Sequence, residues 1–423
     1  MENRNYSFID PTFFDELVTM QETFTDNKEE DSSQFLSFHK DTTLGTKVLK
    51  AKNFVGILEG PSGNQLEILP KIHDAKQDMD VEKTRKIFLK MLRYLEDFPG
   101  KHYDTAQLRT EQMPLYEIFI KMYLDEVQQL LRKGLKSAYR TVEANQPFYK
   151  GKLMVSHHIR SNLAHRERFY VAYDEFLLDR PENRLIKATL IRLATLSRND
   201  TNIREAWQQL AHFEQVRPSV HYAKDFARVV SDRTTTSYES LLAWSRVFLE
   251  NRSFVSFAGN QQAKTLLFPM EQVFEDYVGK NLRRYLAQGD TPPWTTHLQD
   301  KGHWLFRRKF SIRPDIVLKE GKETKFILDT KWKVLKDDSR NNYGISQSDM
   351  YQMYAYGKKY GVRDIILLYP LAEGLSNGMD ISYESDDNVR VQVFFIDLSR
   401  DIKSSMEELV GLLTSIENEG NTP

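Results

Sequence analysis

The spacing of apolar residues changes several times along the chain, and each change marks a different kind of element. The polar run Asp26 to Ser33 cannot bury enough surface to order itself, so it is expected to link an N-terminal helix to the β-type segment after it. From Val48 to Ile72 the runs are short and β-type. Phe54–Leu58 and Leu66–Leu69 flank Gly60, Pro61, Ser62, Gly63 and Asn64, a turn cluster that predicts a hairpin. The period then lengthens to that of helices, with one stripe of Ile87, Phe88, Met91, Leu92 and Leu95 inside Val81–Phe98 and another of Ile118, Phe119, Met122, Tyr123, Val127 and Leu130 inside Leu115–Leu135. Strands are expected around Leu153–Val155 and Phe169–Tyr173. Pro181 then opens a helix through Leu196, and further helical stretches lie at Ile203–Gln215 and Ser237–Leu249.

The final third mixes both periods. A helix from Pro269 to Leu286 presents Met270, Val273, Phe274, Tyr277, Val278 and Leu282; strand-like runs come next at 304–312, 315–318, 326–332, 365–369 and 391–396, with helices over 347–359 and 404–416. This order predicts a mixed α/β protein. Its expected parts are an N-terminal extension and linker at 1–43, an α+β domain at 44–180, a helical connecting region at 181–265 and a mixed-sheet domain at 266–423.

Composition narrows the picture. With 423 residues, 40% of them hydrophobic and 28% charged, the chain has material for two or three cores and too much for disorder. The 59 Lys+Arg against 60 Asp+Glu leave a net charge of −1, so any attraction for nucleic acid must be local. The absence of cysteine excludes disulfides, thiolate zinc sites and cysteine nucleophiles. No run approaches the roughly 18 apolar residues of a membrane span, and the first ten residues lack a signal-peptide core. A soluble, cytoplasmic protein is expected.

The stretch richest in chemistry is Ser311–Lys319, a polar turn, and Phe326–Trp332. On a strand alternate side chains share a face, so Asp329 and Lys331 are expected to point one way and Leu328 and Thr330 the other. A short turn makes the two runs antiparallel, which brings Asp315 near Asp329; Pro314 holds Arg313 extended. Two carboxylates and a lysine suit metal-assisted attack on a phosphodiester, with hard oxygen ligands selecting Mg²⁺ or Mn²⁺. The bland alternative, hairpin surface charges paired with neighbouring lysines, is open to an Asp-x-Lys triplet taken alone. Upstream, Glu271 and Glu275 share a helix face and offer a further ligand; downstream, Gln352 and Tyr356 are also four apart, placed to brace the site or meet a DNA backbone. Between 301 and 340, twelve Lys/Arg stand against six Asp/Glu. His157, His158 and His165 lack zinc-site spacing, no G-x-S-x-G elbow is present, and the absence of G-x-x-x-x-G-K-[ST] means that this chain holds no nucleotide by a P-loop.

The order Glu275, Arg-Pro-Asp315, Asp329-Thr-Lys331 and Gln352-x-x-x-Tyr356 resembles the PD-(D/E)xK nuclease fold of the RecB-like branch. With Phe54–Glu59, Leu66–Lys71, Gly151–Leu153, Tyr173–Phe176 and Asn183–Lys187, the chain from about 44 to 400 resembles the McrC-type nuclease subunits of McrBC modification-dependent restriction systems. The resemblance implies that Asp315, Asp329 and Glu275 bind Mg²⁺ or Mn²⁺, that Lys331 is the catalytic lysine, and that Glu271, Arg313, Gln352 and Tyr356 give support. It also implies a GTP-hydrolysing, McrB-like AAA+ ring that docks on the N-terminal α+β domain, and a double-stranded, methylated DNA substrate. The turn Gly60, Pro61, Ser62, Gly63 and Asn64, with Lys71, is the expected partner contact. The rival reading is a catalytically silent scaffold that activates the NTPase.

Overall fold

The computed structural model describes residues 9–25, 35–41, 45–72, 81–96, 98–99, 113–229, 236–250, 264–288, 292–372 and 374–420. Its elements begin with α1 (Pro11–Thr25), β1 (Leu36–Lys40), β2 (Lys47–Ala51), β3 (Phe54–Glu59), β4 (Gln65–Ile68), α2 (Val81–Leu92) and α3 (Leu115–Lys133). Then come β5 (Ala138–Gln146), β6 (Lys152–Leu153), α4 (Val155–Asn162), β7 (Phe169–Leu177), α5 (Pro181–Leu196), α6 (Asp200–Leu210), α7 (Tyr222–Arg228) and α8 (Thr236–Glu250). The remainder is β8 (Lys264–Pro269), α9 (Met270–Leu286), β9 (Thr295–Leu298), β10 (His303–Phe306), β11 (Lys309–Ile312), β12 (Ile316–Glu320), β13 (Glu323–Thr330), α10 (Gln347–Tyr360), β14 (Asp364–Pro370), β15 (Ser382–Glu384), β16 (Arg390–Ile396) and α11 (Ile402–Gly420). The linker Asp26–Ser33 lies outside the described residues.

Contacts group the chain into two units, Met1–Leu115 with Ser253–Pro423, and Tyr116–Arg252. This division differs from the expected boundaries at 180 and 265. The reason is strand pairing: β3 joins not only β4 but also β8, antiparallel, with Phe54 opposite Pro269 and Gly56 opposite Leu267. Residues before the helical stretch and residues after it therefore share one sheet.

In the first unit a six-stranded sheet runs β15-β16-β14-β13-β12-β9. Its β13–β14 and β14–β16 pairs are parallel and the others antiparallel. The parallel pair β13–β14 needs a crossover, which α10 supplies. Central strands of such a sheet are covered on both faces, and β13 and β14 accordingly read as continuous apolar runs, Phe326–Leu328 and Ile365–Tyr369, all buried. Val317, Ile327, Ile365 and Leu367 pack with Met353 and Tyr356 of α10. Against β9 and β12 lies α9, where a Cβ on Gly279 would come within 2.8 Å of Leu298 Cδ2; the missing side chain is what lets the helix sit this close. Glu275, one turn before Gly279, is thereby carried toward the start of β12.

The second unit packs α5 against α6, α7 and α8, and carries a three-stranded antiparallel sheet ordered β5-β7-β6. The strand expected at Leu153–Val155 is only Lys152–Leu153, because Val155 opens α4. Glu117 of α3 is buried and fully used as an acceptor, by Ser197 Oγ (2.6 Å), Arg198 N (2.7 Å) and Asn202 Nδ2 (2.8 Å). Such a carboxylate ties three segments together, a structural role.

Candidate active site

The hairpin β12–β13 sets the site. Its register places Ile316 opposite Leu328, which continues to Asp315 opposite Asp329 at the open end. Asp329 is 1% exposed on β13, and its Oδ2 lies 2.5 Å from Lys331 Nζ. Asp315, on the loop entering β12, accepts from Thr330 N (2.8 Å) and Thr330 Oγ1 (2.6 Å) through its Oδ2. Strict alternation puts Thr330 on the far face from Asp329, yet its hydroxyl meets Asp315 because β13 ends at Thr330 and the antiparallel ladder stops there.

Glu275 reaches the same place from α9, accepting a very short hydrogen bond from Gln299 Nε2. Gln299 also sits 3.4 Å from Asp315 Oδ1 through Nε2 and 3.4 Å from Arg313 Nη1 through Oε1, so it stands between the helix carboxylate and the hairpin. Glu271 takes a different partner. It is exposed on the cleft wall and accepts from Asn53 Nδ2 at 2.7 Å. On the other side, Lys331 Nζ donates to Gln352 Oε1 (3.1 Å), Gln352 Nε2 to Tyr356 OH (2.7 Å), and Tyr356 OH to Arg313 O (3.0 Å). This chain of bonds runs from the lysine back to the residue that precedes Pro314-Asp315. Glu271, Glu275, Asp315, Asp329, Lys331 and Gln352 line one cleft of about 630 Å³.

The expected partner turn is elsewhere in this unit. Gly60 is buried against Phe13 of α1, and Ser62 Oγ donates to Glu16 Oε2 at 2.9 Å, while Pro61, Ser62, Asn64 and Lys71 are exposed. Part of that turn is thus covered by the chain's own first helix.

Electrostatics single out the carboxylates. Burial, and then the Asp315 charge, push the Glu275 carboxyl up to about 8. Burial, and then Asp315 again, push Asp329 up to about 7, against the pull of Lys331. Asp315 is raised by burial as well, in spite of the two Thr330 hydrogen bonds. For Lys331 burial alone would lower the value, but Asp329 outweighs it and the ammonium is held above its usual range. Three desolvated, mutually repelling carboxylates around one cleft suit a hard divalent cation, which would relieve the repulsion. Among the described residues no three His, Asp or Glu close around one point as a finished cage. Each carboxylate already has a partner: Gln299 and Thr330 donate hydrogen bonds to Glu275 and Asp315, and Lys331 is ion-paired with Asp329.

These shifts give a pH prediction. A carboxyl with a higher pKa folded than unfolded favours folding while protonated, so its contribution is fully present below the ordinary 4.5 and is lost as pH rises through about 8 for Glu275. In EDTA, the Tm of Glu275→Gln is therefore expected to gain on wild type across that interval. A difference in Tm that stays constant with pH would remove Glu275 from the group of mutually repelling carboxylates.

Sequence reasoning missed Gln299, Thr330, Asn53 and Asp349. Asn53, Thr330 and Asp349 line the cleft, and Gln299 bonds two of its carboxylates. Only Asp349 left a signal, in the Ser346-x-x-Asp349 pattern of a helix start; Ser346 Oγ accepts from Asp349 N at 3.1 Å.

Fold and cleft together define an α/β protein with an acidic site at the open end of a hairpin in a mixed sheet. Residues 49–370 match the family described as McrBC 5-methylcytosine restriction system component, and the chain belongs to that family. It is similar, at 19% identity and a TM-score of 0.77 over 96% of both chains, to a chain of the half-complex from the tetradecameric assembly of Thermococcus gammatolerans McrB AAA+ hexamers with bound McrC. A chain of the Thermococcus gammatolerans McrBC complex is similar at 20% identity and a TM-score of 0.53, over 68% of this chain and 86% of that one. At these identities the likeness speaks to fold. No curated protein matches the chain. Among the described residues no helix is long and apolar enough to cross a membrane.

Proposed function

We propose that this chain is the metal-dependent endonuclease subunit of an McrBC-type restriction system, acting in the cytoplasm on double-stranded, methylated DNA. The observation that carries the reading is the convergence of Glu275, Asp315, Asp329 and Lys331 on one cleft from three separate elements. Asp315, Asp329 and Glu275 would hold Mg²⁺ or Mn²⁺, which supplies a polarised phosphate and a more acidic water when bound. The chain's own residues do the rest. Lys331, kept charged by Asp329, lies where it can orient the attacking water or offset charge on the phosphate oxygens. Gln352 and Tyr356 position that ammonium, and the Tyr356 bond to the Arg313 carbonyl fixes the approach of Asp315.

The partner would be a GTP-hydrolysing, McrB-like AAA+ ring. Family membership supports this, as does the likeness to a chain of an assembly of McrB AAA+ hexamers with bound McrC. A second reading, a silent subunit that only activates the ring's hydrolysis, draws on the absence of a finished cage among the described carboxylates. One experiment separates them: methylated and unmethylated plasmid, this chain and its NTPase partner, GTP, with Mg²⁺ or with EDTA. Cleavage that needs Mg²⁺ and nucleotide is the expected result. Stimulated GTP hydrolysis without cleavage in Mg²⁺ or Mn²⁺ would decide for the scaffold.

A further inference from the structure

From Lys301 to Arg313 the chain has five Lys/Arg (Lys301, Arg307, Arg308, Lys309 and Arg313) and no Asp/Glu. Here β10 and β11 form a two-stranded ribbon separate from the main sheet, with Trp304 opposite Ser311 and Phe306 opposite Lys309. One face is anchored. Leu305 and Ile312 pack on the α10 side of the core, and the His303 ring lies 3.8 Å from that of Tyr360. The other face is bare: Trp304 is 40% exposed, Phe306 68% and Phe310 69%.

Two features make this more than scattered surface apolarity. Arg308 and Phe310 adopt φ of 55° and 56°, a left-handed conformation costly for side chains of this size, and it brings the Phe310 ring to 5.9 Å from Phe306. Farther along, on β12 and β13, Lys319 and Lys325 are ion-paired, whereas among the described residues Arg307, Arg308 and Lys309 face no carboxylate. The ribbon's ends run straight into the cleft, through Gln299 before β10 and Asp315 after β11.

We propose that the β10–β11 ribbon grips the duplex beside the cutting site, with Phe306 and Phe310 wedged at a base step in a groove and Arg307, Arg308 and Lys309 on the flanking phosphates. This rests on the nuclease reading of the cleft. Unpaired cations without anions fit a polyanion better than a protein surface. Apolar wedges flanked by arginine are a known means of unstacking a step, and a ribbon is narrow enough to enter a groove.

The test uses the full-length chain and a short duplex carrying 2-aminopurine, titrated over a range of salt, with plasmid cleavage in the presence of the NTPase partner run in parallel. Phe306→Ala with Phe310→Ala is expected to weaken binding by about tenfold or more, with the salt slope kept and the 2-aminopurine rise lost. Arg307→Ala with Arg308→Ala should reduce the slope of log affinity against log salt by about 2. Phe310→Gly suits the backbone conformation, so it should fold at least as well as wild type and still lose the fluorescence rise. If wild type binds and cuts while all three variants behave like it, the ribbon assignment alone is wrong. A change in sedimenting mass with unaltered DNA binding would make the occupant a second copy and overturn it too. Failure of wild type itself to bind or cut DNA would instead remove the nuclease reading, and the ribbon's role with it.

Discussion

Asp329→Ala is expected to lower DNA cleavage by about 10³-fold or more while leaving the fold and the partner interaction intact. The carboxylate is almost wholly desolvated, lies 2.5 Å from Lys331 Nζ and stands opposite Asp315 in the hairpin register. In the proposed reading its removal takes away a hard oxygen ligand for the metal, and with it goes the counter-charge beside Lys331. The stability effect is the balance of two opposed terms. Breaking a buried pair costs about 3–5 kcal/mol when the remaining charge is trapped. Lys331 is not trapped, its side chain being 23% exposed. Against that cost stands relief, because a carboxyl pushed up to about 7 by burial and by Asp315 is a destabilising charge at neutral pH. The net change in Tm should be a few degrees at most. Asp349→Ala is the matched control: Asp349 lines the same cleft, but its place in the first turn of α10 gives it a helix-start role. Cleavage at the wild-type rate by Asp329→Ala, or an equal loss in Asp349→Ala, would mean that the reacting centre lies elsewhere in the cleft.

Why the hairpin carboxylates were legible in the sequence and their helpers were not comes down to how each is specified. The facing of Asp315 and Asp329 needs only period-two alternation and a short turn, both local properties, and the apolar stripe of α9 fixes which of its faces meets the sheet. Gln299, by contrast, owes its position to a φ of 52° and to the pairing of β9 with β12, neither of which a polar residue after a short strand announces. Asn53 comes to Glu271 only because β3 pairs with β8, across more than 200 residues of chain. The same pairing explains the domain boundaries: periodicity marks where elements begin, but strand partners distant in sequence leave no trace in it. Helices with caps or a proline start were readable almost to the residue, as Pro181–Leu196 shows. Short pieces such as β6, α4 and β9 were not, since a few residues carry too little pattern to separate strand from helix.

Gly56→Ala should be the most damaging single substitution for stability, at about 4 kcal/mol or more, the range reserved for a named steric cause. Gly56 is in the central strand of the β4-β3-β8 sheet with φ of 135°, and a Cβ there would lie 1.9 Å from Leu266 O, 2.9 Å from Leu266 C and 3.1 Å from Leu267 Cα. All three are backbone atoms of the paired strand, so no side-chain rotation relieves the overlap; β8 itself must move. That movement has a functional cost, because β8 leads directly into α9. Met270 N donates to Asn53 O at 2.9 Å and Asn53 Nδ2 to Glu271, so a displaced β3–β8 pair shifts the helix that presents Glu275. Gly45→Ala gives the cost of a left-handed backbone by itself: its φ of 66° is within reach of alanine, and no atom of the described residues lies within 4 Å of the added methyl. Its expected cost is about 1 kcal/mol, from conformation alone. Thermal melts of the two variants, with cleavage measured below both transitions, give the comparison. If Gly56→Ala melts as close to wild type as Gly45→Ala does, the close approach of β3 to β8 is not what holds α9 in place.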